Sequence, residues 1–130
     1  MAQLQVVMAQ VNPVVGDIDG NIALVLEQLK TAESADKPLL YVFPELVLTG
    51  YPPEDLLLRP SIKPRIEAAL AKLTQAPKDV YVLLGYPRMT ETGLFNAAGL
   101  FKNGELLFEY HKQCLPNYRV FDEKRYFQAG

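Results

Sequence analysis

Leu39-Leu40-Tyr41-Val42-Phe43 is a continuous apolar run with Lys37-Pro38 before it and Pro44 after it. Five residues held between prolines are too few for a helix and suit a buried strand of a parallel sheet. Upstream of the run the period changes. Ile22, Val25, Leu26, Leu29 and Ala32 recur at helical spacing, which predicts an amphipathic helix with Asp17 or Asp19 as its N-cap and Lys30 near its end. Before that helix, Leu4 to Ala9 is a second short apolar run, closed by Asn12-Pro13 and Gly16-Asp17, and is expected to be a buried strand. Strand, helix and strand in this order make a β-α-β unit, so the fold class is α/β.

Downstream, Pro44 to Pro60 carries four further breaks in regular structure and reads as a loop with a helical turn around Asp55 to Leu58. Ser61 is placed to cap a helix reaching Gln75, with Ile62, Ile66, Leu70 and Leu73 on one face and Pro64 tolerated in the first turn. A strand at Val80 to Leu84 completes a second crossover. Strands alone follow: Leu94 to Phe101, the Asn-Gly turn Lys102-Asn103-Gly104-Glu105, then Leu106 to Tyr110. His111 to Gly130 mixes polar, charged and aromatic residues without a period and reads as an ordered loop packed against something else.

Composition sets outer limits. The 130 residues are 49% hydrophobic and 22% charged, which suits one globular domain and not a disordered tail. Thirteen basic against fifteen acidic residues leave a net charge of −2, so no electrostatic footprint for nucleic acid or anionic lipid exists. No stretch approaches the ~18 apolar residues of a membrane span, and the N-terminus lacks a basic, then apolar, export signal. The single Cys114 excludes an internal disulfide and a cysteine-rich zinc site, and a cytoplasmic location is the expectation.

Nucleotide signatures of the G-x-G-x-x-G and P-loop types are absent. Glu45 lies just past the end of a buried strand, where open α/β sheets place their sites; it is either a solvated loop carboxylate or a general base made basic by partial desolvation. Lys112 leaves the last strand in a comparable place and is either solvated or a fixed positive charge. His111, with no acid or second ligand near it in sequence, reads as structural. Cys114 invites a nucleophile reading because Lys112 and His111 are close in sequence. Its setting, Gln-Cys-Leu-Pro, instead favours a small buried apolar residue. The aromatic set Tyr118, Phe121, Tyr126 and Phe127 reads as packing, and its density beside Asp122 to Arg125 suggests a pocket wall.

Three blocks carry a resemblance: residues 6–17, VVMAQVNPVVGD; residues 43–56, FPELVLTGYPPEDL; and residues 111–127, HKQCLPNY and VFDEKRYF about Arg119. Together they resemble the N-terminal glutaminase domain of the glutamine-dependent NAD synthetases, a carbon-nitrogen hydrolase domain of the nitrilase superfamily. The resemblance implies an α-β-β-α sandwich, of which residues 1–130 supply a partial domain: two β-α units and a hairpin. It implies a Glu-Lys-Cys triad acting on the side-chain amide of glutamine, with Glu45 as general base and Lys112 as the cation beside the oxyanion. Tyr51 and Tyr118 then match the glutamine pocket, and Glu123 the superfamily's supporting second glutamate. The chemistry needs these types: a carboxylate to move protons, and a positive charge where the tetrahedral intermediate turns negative. In the family the nucleophilic cysteine follows the Phe-Asp-Glu-Lys-Arg block by tens of residues. The expectation is therefore a fragment without its nucleophile, inactive alone, in which Cys114 does not inherit the role. The synthetase domain, with its ATP and magnesium, is likewise expected to be absent. Rival readings are a small-carboxamide amidase and an inactive binding fragment. Half a sandwich leaves open sheet edges and a bare apolar face, so a homo-oligomer is expected.

Overall fold

The computed structural model describes residues 3–32, 38–117 and 123–130. Five strands form one sheet in the order of the chain: β1 (Gln5–Met8), β2 (Leu39–Val42), β3 (Val80–Thr90), β4 (Gly93–Lys102) and β5 (Glu105–His111). β1, β2 and β3 are parallel, and β3, β4 and β5 are antiparallel. The parallel steps are bridged by α1 (Ile18–Leu29) and α2 (Ile62–Ala71), the two crossovers that the periodicity predicts.

Asp17 caps α1, its carboxylate accepting the Gly20 N–H at 3.0 Å. Ser61 precedes α2 but its hydroxyl makes no capping bond; it is already in helical conformation, and its carbonyl accepts the Arg65 N–H instead. α2 ends at Ala71 and tightens into a 3₁₀ turn, Lys72–Gln75, so the predicted helix is present in two pitches. Ile18, Ile22, Val25 and Leu29 of α1 and Ile62, Ile66 and Ala69 of α2 are buried against Tyr41, Val82, Leu84 and Tyr86 of the sheet.

Two further sequence expectations are corrected. β3 does not end at Leu84 but runs on through Gly85 and Pro87 to Thr90. β2 accompanies β3 only as far as Leu83, and Gly85 turns its carbonyl away from β4 to accept the Leu48 N–H at 3.3 Å. By strand alternation Pro87 directs its nitrogen to that same side, where no ladder bond is lost. β1, expected to be buried, is an edge strand whose Val6 and Met8 are 50% and 70% exposed.

That exposure continues across the sheet. Val6 and Met8 register with Leu40 and Val42, these with Tyr81 and Leu83, and Leu83 through Leu100 with Phe108, which is 63% exposed. The helices cover one face; among the described residues nothing covers the other, an apolar surface of the kind expected of half a sandwich. The hairpin turn is as predicted, with Asn103 and Gly104 both in the left-handed region (φ 54° and 79°).

Candidate active site

The site lies at one end of the uncovered face. Phe43 prolongs β2 by donating its N–H to the Leu83 carbonyl at 3.0 Å, and the chain then turns at Pro44 and Glu45. Leu46 adopts φ 51°, which a residue with a Cβ takes only at a cost of about 1–2 kcal/mol. Its carbonyl accepts the N–H groups of Thr49 and Gly50, and Leu46 to Thr49 are wholly buried. A rigid, apolar turn thus anchors the glutamate while its side chain remains 43% exposed. Gly85 makes this possible: a Cβ there would stand 2.5 Å from the Leu46 nitrogen and 2.8 Å from the Pro44 oxygen.

Lys112 follows β5 and extends its ladder, donating its N–H to the Asn96 carbonyl at 2.9 Å. Its ammonium meets Glu45 Oε1 at 2.6 Å and Glu123 Oε1 at 3.2 Å. Partial burial lowers the affinity of Lys112 for its proton, but hydrogen bonds and charge attraction from Glu45 and Glu123 outweigh this and hold its pKa above the ordinary lysine value. The group is therefore a fixed cation at neutral pH.

Glu123 opens a 3₁₀ turn, Glu123–Arg125, after its N–H is held by the Pro116 carbonyl at 3.2 Å. It is 5% exposed, a carboxylate buried on the strength of two donors, Lys112 and the Tyr51 hydroxyl at 2.8 Å. Among the described residues its Oε2 has no hydrogen-bond partner. Tyr51 follows Gly50, whose φ of 77° and close approach to the Val15 backbone suit only glycine. Tyr51, Glu123, Asp55, Tyr126 and Phe127 line one cavity, and the Tyr126 hydroxyl donates to Asp55 at 2.5 Å. Glu45, Lys112, Asn96, Gly85, Ala98 and Tyr110 line a second. Lys112, bound to both glutamates, joins the two.

Four residues singled out in the sequence, Glu45, Lys112, Tyr51 and Glu123, therefore form one hydrogen-bonded chain from positions up to 78 residues apart. Tyr118 lies outside the described residues. Cys114 is exposed, not buried as its sequence setting suggested, because the segment after β5 has left the sheet for the surface; it lines neither cavity. His111 does have an acid beside it in sequence: Nε2 pairs with Glu109, two residues back, at 2.8 Å; but Glu109 also holds Arg88 and the Tyr86 hydroxyl, and the His111 ring stacks on Phe95, so its role is structural. Asn96 was not foreseen. It is 3% exposed and donates from Nδ2 to Glu45 Oε1 at 2.9 Å. Its one signal in the sequence is a polar residue inside the apolar run Leu94 to Phe101, on the face opposite Phe95 and Ala97.

The chain is 47% identical over 132 aligned residues to the glutamine-dependent NAD(+) synthetase of Thermotoga maritima, matching 100% of this chain and 23% of that protein. It superposes on glutamine-dependent NAD+ synthetase from Acinetobacter baumannii with a TM-score of 0.90 and 44% identity, over 96% of this chain and 24% of the other. An amidase from Nesterenkonia sp. shares the fold, with a TM-score of 0.83 at 22% identity over 99% of this chain and 49% of that one. The chain spans about a quarter of the length of the curated relatives it matches. Residues 5–130, nearly its whole length, match the carbon-nitrogen hydrolase family, and the chain belongs to that family.

Proposed function

We propose that this chain supplies the general base and the oxyanion-binding cation of a site that hydrolyses the side-chain amide of glutamine. The reading rests on one observation: Glu45 and Lys112, 67 residues apart, meet at 2.6 Å over a cavity on the open sheet face. A cysteine from outside these 130 residues completes the triad, because Cys114 is exposed and apart from both cavities.

Glu45 takes the thiol proton, and the thiolate adds to the amide carbon. An ammonium has three N–H donors, of which Lys112 commits two to the glutamates, leaving the third for the oxyanion. Glu45 returns its proton to the nitrogen, the C–N bond breaks and ammonia leaves. Water, deprotonated by Glu45, then cleaves the thioester to glutamate and the thiol. Tyr51 and Glu123 wall the approach to Lys112, and the family resemblance alone assigns Tyr118 to the glutamine pocket. The relatives at 38–47% identity bear the name of NAD synthetases, so the ammonia is destined for an ATP-dependent amidation of deamido-NAD. ATP and magnesium are assigned, on the family resemblance, to a synthetase segment. The apolar sheet face makes self-association of the 130-residue chain part of the same proposal.

The test is ammonia release from glutamine, and from a panel of small carboxamides, by the native polypeptide that contains this sequence. Glutamine should be preferred, and Lys112→Met should abolish turnover. Equal turnover of simple amides would replace glutaminase by a general amidase, and a Lys112→Met protein of normal rate would remove Lys112 from the chemistry.

A further inference from the structure

Two donors converge on a single oxygen of Glu45. Oε1 accepts the Lys112 ammonium at 2.6 Å and the Asn96 amide at 2.9 Å, while Oε2 has no partner among the described residues. A carboxylate on a two-bond stem can rotate, exchange its oxygens and lose its line to the reacting atom. Lysine alone does not prevent this, since an ammonium is a compact charge on a flexible stem. Asn96 differs. It is 3% exposed, sits within β4, and its own carbonyl holds the Lys112 N–H at 2.9 Å. One residue thus ties the base through its side chain and the cation through its main chain.

We infer that Asn96 is a positioning residue that locks the Glu45 carboxylate, so that Oε2 is the oxygen that carries the proton. The inference deepens the proposed glutaminase reading and rests on it for its kinetic arm. Asparagine suits the task because it donates without adding charge beside the base. Aspartate has nearly the same shape but presents acceptors to Oε1, and alanine presents nothing.

The experiment uses the native polypeptide with Asn96→Ala and Asn96→Asp. The turnover number for glutamine should fall about 10- to 100-fold in both, with KM within about threefold, because Asn96 is 3% exposed and its loss misaligns the proton carrier far more than it reshapes the cavity it lines. Asn96→Asp should be the worse of the two. Melting curves separate a folding defect, which would lower the active fraction but leave the turnover per folded site unchanged. Selective ¹⁵N labelling of asparagine gives an arm free of activity: in Glu45→Ala, the Asn96 Nδ2 proton that faced Oε1 should move upfield. An unmoved Nδ2 signal, or Asn96→Asp turning over like the native protein, overturns the inference. Absence of glutamine hydrolysis in the native protein with a normal Nδ2 shift refutes the function and leaves the hydrogen-bond lock standing.

Discussion

Gly85→Ala is the substitution that most sharply examines how the fold positions the base. The added methyl would lie 2.5 Å from the Leu46 nitrogen, 2.8 Å from the Pro44 oxygen and 3.1 Å from the Glu45 carbonyl carbon. Ordinary contact begins at 3.4 Å, so at the nearest atom the loop must withdraw by about 0.9 Å. All three atoms are backbone, and no rotamer change relieves them. Overpacking of this kind costs about 1–3 kcal/mol. Withdrawal also stretches the 3.3 Å bond from the Leu48 N–H to the Gly85 carbonyl and carries Glu45 away from Lys112. A displacement near 1 Å costs on the order of 100-fold in rate, more than the stability loss alone would produce. The assay is urea unfolding followed by tyrosine fluorescence, together with the turnover number for glutamine in the native polypeptide. A Gly85→Ala protein within about 0.5 kcal/mol of the parent, turning over normally, would refute the claim that β3 sets the position of the base.

Other outcomes follow from the same contacts. Asn21, 1% exposed, accepts the Val14 N–H and donates to the carbonyls of Val14 and Leu48; Asn21→Leu should destabilise the chain by about 2–4 kcal/mol in urea unfolding, since buried backbone groups lose their partners. The raised pKa of Lys112 means that its stabilisation is fully present below the ordinary lysine value of 10.5 and is lost as pH rises through the higher folded value. Glu45→Gln removes a principal cause of that shift, so acylation of Lys112 at about pH 9 should accelerate, as peptide mapping would show; an unchanged rate would mean that the pair does not form. Light scattering of the 130-residue chain should show self-association that Phe108→Lys weakens, because Phe108 is 63% exposed on the uncovered face, whereas a clean monomer would contradict the role given to that face.

The elements were legible where period and punctuation agreed. Alternation from a strand to a 3.6-residue period marked α1, Asp17 supplied its cap, and Asn103-Gly104 marked the hairpin. Local chemistry misled where tertiary context reversed it. The strand expected to stop at Leu84 continues through Gly85 and Pro87 because its far edge has lost its neighbour there, and Ser61 looks like a cap but is already helical. Val6 and Met8 have the composition of a buried strand and lie on an open face, since burial depends on what packs above. In the site, Glu45 and Lys112 could be placed at strand ends from the sequence, but nothing local revealed that they meet. Asn96 escaped notice because an asparagine in a strand acquires meaning only once Glu45 lies opposite it.

The central claim is that Glu45 and Lys112 flank the reacting amide. Its most direct test is a crystal structure of the native polypeptide trapped with an electrophilic glutamine analogue that forms a covalent bond to its nucleophile. The account predicts an adduct on a cysteine other than Cys114, its carbonyl-derived oxygen about 3 Å from Lys112 Nζ and Glu45 Oε2 beside the sulfur. An adduct on Cys114, or one whose oxygen lies out of reach of Lys112, would contradict it.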